Sequence, residues 1–101
     1  MTINVQAVNF DAKPGLEEYL EKKLSKLETL TDKIISAQVF LKVENTSDKN
    51  NKCVDIKLEV PGDDIVVKKC GQSFEECIDL SVDTLKKLIV RMKEKVSERQ
   101  V

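Results

Sequence analysis

The chain has 101 residues, about one domain's length, and its 41% hydrophobic content is enough to bury a core without cross-links. It contains no histidine, which excludes Ser-His-Asp and Cys-His nucleophilic pairs and imidazole-based metal sites, and its 3 glycines build no phosphate-cradling loop. The formal net charge of −1 conceals a gradient: residues 84–101 carry six lysines and arginines against two acids, whereas residues 1–83 carry 11 against 16.

Residues 2–10 alternate Ile3, Val5 and Ala7 with polar neighbours, which predicts a strand and not a signal peptide. The segment DAKPG (11–15) breaks it, with Pro14 suited to a helix start. From Leu16 the period becomes helical: Leu16, Leu20, Leu24 and Leu27 form one stripe with Tyr19 at its edge, and the helix is expected to run to about Leu30. IISAQVFLKVE (34–44) alternates again. It places Ile35, Ala37, Val39, Leu41 and Val43 on one side and Ser36, Gln38, Lys42 and Glu44 on the other, with Phe40 as the exception. KCVDIKLEV (52–60) repeats the pattern with Val54, Ile56, Leu58 and Val60 inward. After the turn PGDD, IVVKKC (65–70) completes a three-stranded meander. The last element starts near Ser73, which stands in capping-box spacing with Glu76. Phe74, Cys77, Ile78, Val82, Leu85, Leu88, Ile89, Met92 and Val96 trace one apolar stripe along it.

The order is β-α-β-β-β-α, an α+β fold in which the first strand, its crossover helix and the second strand make a right-handed parallel unit. Strands with one apolar and one polar face suit a four-stranded mixed sheet with two helices packed on one face. Residues 1–101 are read as a single domain. No apolar run approaches the roughly 20 residues needed to span a bilayer, so a cytoplasmic protein without a membrane partner is expected. The cysteines are odd in number and lack C-x-x-C spacing, so Cys53, Cys70 and Cys77 are expected to be reduced, partly buried thiols. No metal, cofactor, small-molecule substrate or enzymatic activity is expected.

The charges fall in rows. Lys87, Arg91 and Lys95 are spaced i, i+4, i+8 on one flank of the last helix, Lys86 and Lys93 lie on the opposite flank, and Asp83 and Glu94 are on its back. On the first helix Glu17, Glu21 and Glu28 fall on one side of the leucine stripe, and Lys22, Lys23 and Lys26 on the other beside Tyr19. Like charges at i, i+4 cost a few tenths of a kcal/mol each, so the basic row points to an anionic partner. The competing reading is that lysine stems border the core with their heads in water. A lysine-rich, aromatic-poor surface suits the phosphates of a folded RNA better than reading of bases. An alternative is a regulator that binds a protein partner, using an acidic sheet-side surface with exposed Phe40.

The segments LEEYLEKKLSKLE, DKIISAQVFLKVE, DIKLEVPGDDI and ECIDLSVDTLKKLIVRMKEK, in this order and spacing, resemble the ribosome hibernation-promoting factor family. The resemblance covers nearly the whole chain. It implies a fold like that of double-stranded-RNA-binding domains. It also implies a translation inhibitor that binds the small ribosomal subunit in the mRNA and tRNA channel, silencing and protecting idle ribosomes in stationary phase or stress. The implied rRNA-binding residues are Lys22, Lys23, Lys26, Lys86, Lys87, Arg91, Lys93 and Lys95. Lys22 is an extra neighbour and Lys86 is less typical of the family, while Thr84 stands where the family usually has lysine. The length resembles the short form, without a C-terminal dimerisation domain, and a ribosome modulation factor acting alongside is left open.

Overall fold

The computed structural model describes residues 1–8, 14–44 and 51–99, the side chains of 94–99 excepted. Strand β1 (Thr2–Val8) leads to helix α1 (Leu16–Ser25), which tightens into a 3-10 turn over Lys26–Thr29. Strands β2 (Ser36–Val43), β3 (Lys52–Glu59) and β4 (Ile65–Gly71) follow, then the long helix α2 (Phe74–Arg99). The sheet order is β1-β2-β3-β4, with β1 parallel to β2 and the other neighbours antiparallel. The four-stranded mixed sheet and two helices are those expected from the sequence.

Local chemistry explains the helix boundaries. Gly15 adopts a left-handed conformation (φ 91°), which a side chain would resist, and α1 starts at the next residue. The Ser73 hydroxyl accepts the Glu76 backbone N–H at 3.2 Å, and the Glu76 carboxylate reaches back to the N–H of Gln72 at 3.3 Å. The cap foreseen from spacing therefore forms, with the glutamate reaching one residue further than in the usual box.

Both helices lie on one face of the sheet. Leu16, Leu20, Leu24 and Leu27 are buried against Ala37, Val39 and Leu41 of β2, the inward residues of β3, and Ile78, Val82, Leu85 and Ile89 of α2. The expected stripes thus become the core, with Phe74 and Leu88 partly buried against it. Met92, expected in the stripe, is instead 38% exposed near the end of α2, where the sheet no longer covers it. Val96 and residues 9–10 lie outside the described side chains and residues.

Two expectations about side chains are corrected. The alternation over 34–44 puts Ile35 and Val43 inward, yet they are 60% and 41% exposed, and Ile34 is buried instead. The pleat of β2 begins only at Ser36, so the alternation does not extend back to Ile35, and Val43 ends the strand. The cysteines are not all free thiols: Cys53 and Cys70 are directly opposite in the β3–β4 register and are joined as a disulfide, and only Cys77 is free. Their pairing depends on hairpin register, which cysteine spacing does not disclose.

The helix-free face is not an acidic surface. Lys42 pairs with Asp55 at 3.1 Å, Lys57 with Asp64 at 3.5 Å and Lys68 with Glu44 at 3.3 Å, while Phe40 in their midst is half-buried. These cations come from outward positions of the same alternation that hides the core.

Candidate nucleic-acid interface

The two helices set their charged flanks against each other. Tyr19 and Lys23 sit one turn apart on α1, facing Asp79 on α2. The Tyr19 hydroxyl donates to Asp79 Oδ1 at 2.7 Å, and Lys23 Nζ lies 3.4 Å from the same oxygen and 5.4 Å from the Tyr19 ring centroid. Asp79 is seven residues before Lys86 and fourteen before Lys93, so all three share one flank of α2. The far end of that flank also meets the first helical segment, because Lys93 Nζ donates to the Leu30 carbonyl. Lys23 and Lys26 therefore form one wall of an interhelical groove, with Lys22 exposed beside them on the outer side of α1, and Asp79, Lys86 and Lys93 form the other wall.

The remaining predicted site residues lie elsewhere. Lys87 and Arg91 are exposed on the opposite flank of α2, the side of Cys77, whose thiol donates to the Lys52 carbonyl on β3. Lys95 continues that row by spacing, and its side chain lies outside those described. The seven basic residues with described side chains are thus split, five on the groove side and Lys87 and Arg91 away from it. Thr84 donates to the Leu80 carbonyl at 3.0 Å and adds no charge. The acidic flank of α1 faces away from the groove, with Glu28 lying 3.9 Å from the Met1 amino group.

The groove lysines are not equivalent. Lys23 is tied to Asp79, and Lys93 to a carbonyl. Lys22, Lys26 and Lys86, like Lys87 and Arg91, have no ion-pair partner among the described residues. These are the cations available to a phosphate. Sequence reasoning missed Asp79, the acid within the groove, although its seven-residue offset from Lys86 was the signal that would have placed it there.

Asp79 also sets the local protonation. Its carboxyl is held below the usual range, first by the Tyr19 hydrogen bond and then by Lys23 and Lys26, so it remains charged at neutral pH. The same bond favours the neutral phenol and raises the Tyr19 pKa, and the carboxylate raises that of Lys23. Any stability from the depressed Asp79 is present above the ordinary carboxylate pKa and lost as pH falls through the lowered one. At this exposure it is small. Because Tyr19 is the only tyrosine, phenolate absorbance reports this contact alone. Asp79→Ala is expected to lower the Tyr19 titration midpoint toward 10.0, its unperturbed value. An unchanged midpoint in the folded variant would remove the Tyr19–Asp79 bond as its cause.

Comparison with known proteins places the fold. The family model described as sigma 54 modulation protein / S30EA ribosomal protein matches residues 3–97. The chain belongs to that family. A ribosome hibernation promoting factor of Azotobacter vinelandii is 33% identical over 100 residues, covering 99% of this chain and 90% of its own. A ribosomal subunit interface protein from Coxiella burnetii shares the fold, with a TM-score of 0.82 at 24% identity, over 93% of this chain and 99% of its own. The N-terminal domain of Thermus thermophilus Protein Y superposes with a TM-score of 0.78 at 25% identity, over 91% of this chain and 99% of that one. The interhelical groove is therefore carried on an S30EA fold.

Proposed function

We propose that this protein is a cytoplasmic ribosome hibernation factor that binds rRNA phosphates of the small subunit in the mRNA and tRNA channel. It silences and protects idle ribosomes in stationary phase or stress. It acts by occupation and performs no chemistry. The observation that carries this reading is the groove between α1 and α2, with Lys22, Lys26 and Lys86 unpaired among the described residues. The name of its Azotobacter relative and the ribosomal-protein description of the family support the ribosome as the source of those phosphates. We read residues 1–101 as one ribosome-binding domain.

The test is co-sedimentation with ribosomes across a salt series. Neutralising about four phosphates implies a loss of affinity on the order of 100-fold between 50 and 200 mM salt, with migration on the small subunit at the low end. Protein that stays at the top of the gradient at the lowest salt overturns the ribosome reading. A complex that survives both nuclease and high salt favours the alternative, a protein-binding regulator of the kind the family description names. The ion-paired helix-free face, with Phe40 at its centre, is the surface it would use.

A further inference from the structure

The sheet sorts the three cysteines into a pair and a single. Cys53 and Cys70 are register partners on the helix-free face, with Cα atoms 4.1 Å apart, and are joined as a disulfide. Cys77 lies on the other face beneath α2, bonded to the Lys52 carbonyl, and burial pushes its pKa up, so it is poorly suited to thiolate chemistry. The partners differ in access: Cys53 is fully buried and Cys70 is exposed. The Glu44 carboxylate reaches within 4.8 Å of both sulfurs, and Lys68 lies 3.3 Å from Glu44. Neither Cys53 nor Cys70 belongs to the apolar core cluster, which is continuous without them.

A ribosome-associated factor works where thiols are held reduced, and disulfides found there are mostly transient or redox-sensing; this step rests on the function proposed above. We propose that Cys53 and Cys70 are a redox-active dithiol. Hydroperoxides close it and thiol reductants open it, stapling β3 to β4 without entering the basic groove. The Cys70 thiolate attacks a peroxide oxygen, the O–O bond breaks, and Cys70 sulfenic acid and hydroxide result. The Cys53 sulfur then attacks the Cys70 sulfur, the S–O bond breaks, and water leaves as the disulfide forms. Glu44 is the carboxylate placed to accept the Cys53 proton. Overall two thiols supply two electrons and reduce one hydrogen peroxide to two waters. In the reverse direction an external dithiol is oxidised as both thiols return.

The experiment uses the reduced full chain, equimolar hydrogen peroxide, alkylation with peptide mapping, and a thermal melt. The expected result is loss of two thiols per chain without covalent dimers, linked Cys53 and Cys70 peptides, and an unmodified Cys77. Dithiothreitol restores all the thiols. Closing a loop with a separation of 17 residues raises the melting temperature by roughly 10 to 20 °C. Cys77→Ser behaves as wild type, and Cys70→Ser gives no linkage while melting like the reduced protein. A bond to Cys77 or to another chain, no linkage in folded Cys77→Ser, or a bond that dithiothreitol does not open in the folded protein overturns the proposal. Ribosomes are absent throughout, so failure of the hibernation reading would be seen separately.

Discussion

Reversing Lys22, Lys26 and Lys86 to glutamate is expected to weaken ribosome co-sedimentation by at least roughly 500-fold at 0.1 M salt, with little change in melting temperature. The magnitude follows from counterion release. By the duplex slope, each phosphate contact contributes roughly eightfold at that salt, so three lost contacts multiply to roughly 500, and reversal adds repulsion. The fold should tolerate the change because Lys22 and Lys26 are exposed, Lys86 is half-buried, and none has an ion-pair partner among the described residues. No buried acid is left without its partner, which is the usual route from a charge change to a large loss of stability.

The companion variant separates the two basic surfaces. Lys87→Glu with Arg91→Glu acts on the β4-side flank and leaves the groove intact. If both residues also meet phosphate, the same reasoning gives roughly 60-fold weakening and a salt slope reduced by about two. The groove assignment predicts the ordering, with the three-site variant weaker than the two-site one. A folded three-site variant that binds like wild type removes the groove from the contact surface. Loss confined to the two-site variant would move that surface to the β4 side.

Much of the fold was legible because each element carries one clean period. The leucine stripe, the strand alternations and the Ser73 cap all act within a few residues, where sequence spacing and geometry coincide. What was not legible depends on partners distant in sequence. Asp79 meets Tyr19 and Lys23 across 60 and 56 residues, so its helical face was readable but its neighbour was not. The Cys53–Cys70 pairing needed the β3–β4 register, and the neutral helix-free face needed the diagonal contact between Lys42 and Asp55. The basic rows were visible, yet their division between groove and β4 side followed only once Asp79 fixed which flank faces α1. Ile35 failed for a local reason, since its alternation was counted from a residue that precedes the strand.

Leu85→Ala is expected to cost about 3 kcal/mol, whereas Leu80→Ala, on the same helix, should cost less than about 1 kcal/mol. The pair isolates burial, because the chemical change and the helix-propensity change are the same at both positions. Leu85 is fully buried over the sheet beside Ile78, Val82 and Ile89, and truncating it leaves a cavity under α2 that a close-packed core fills only in part. Leu80 is 44% exposed on the back of the helix, so water already covers much of what alanine would remove. For a domain of this size the larger loss lowers the melting temperature by roughly 12 to 24 °C, a large share of a typical folding free energy. Urea unfolding checks it: the Leu85→Ala midpoint should fall with little change in slope, and the Leu80→Ala midpoint should stay near wild type. Equal costs at the two positions would mean that α2 does not dock on the sheet through this stripe. The flank carrying Lys86 and Lys93 would then not be held against α1, because the docking that buries Leu85 is also what turns those lysines into the groove.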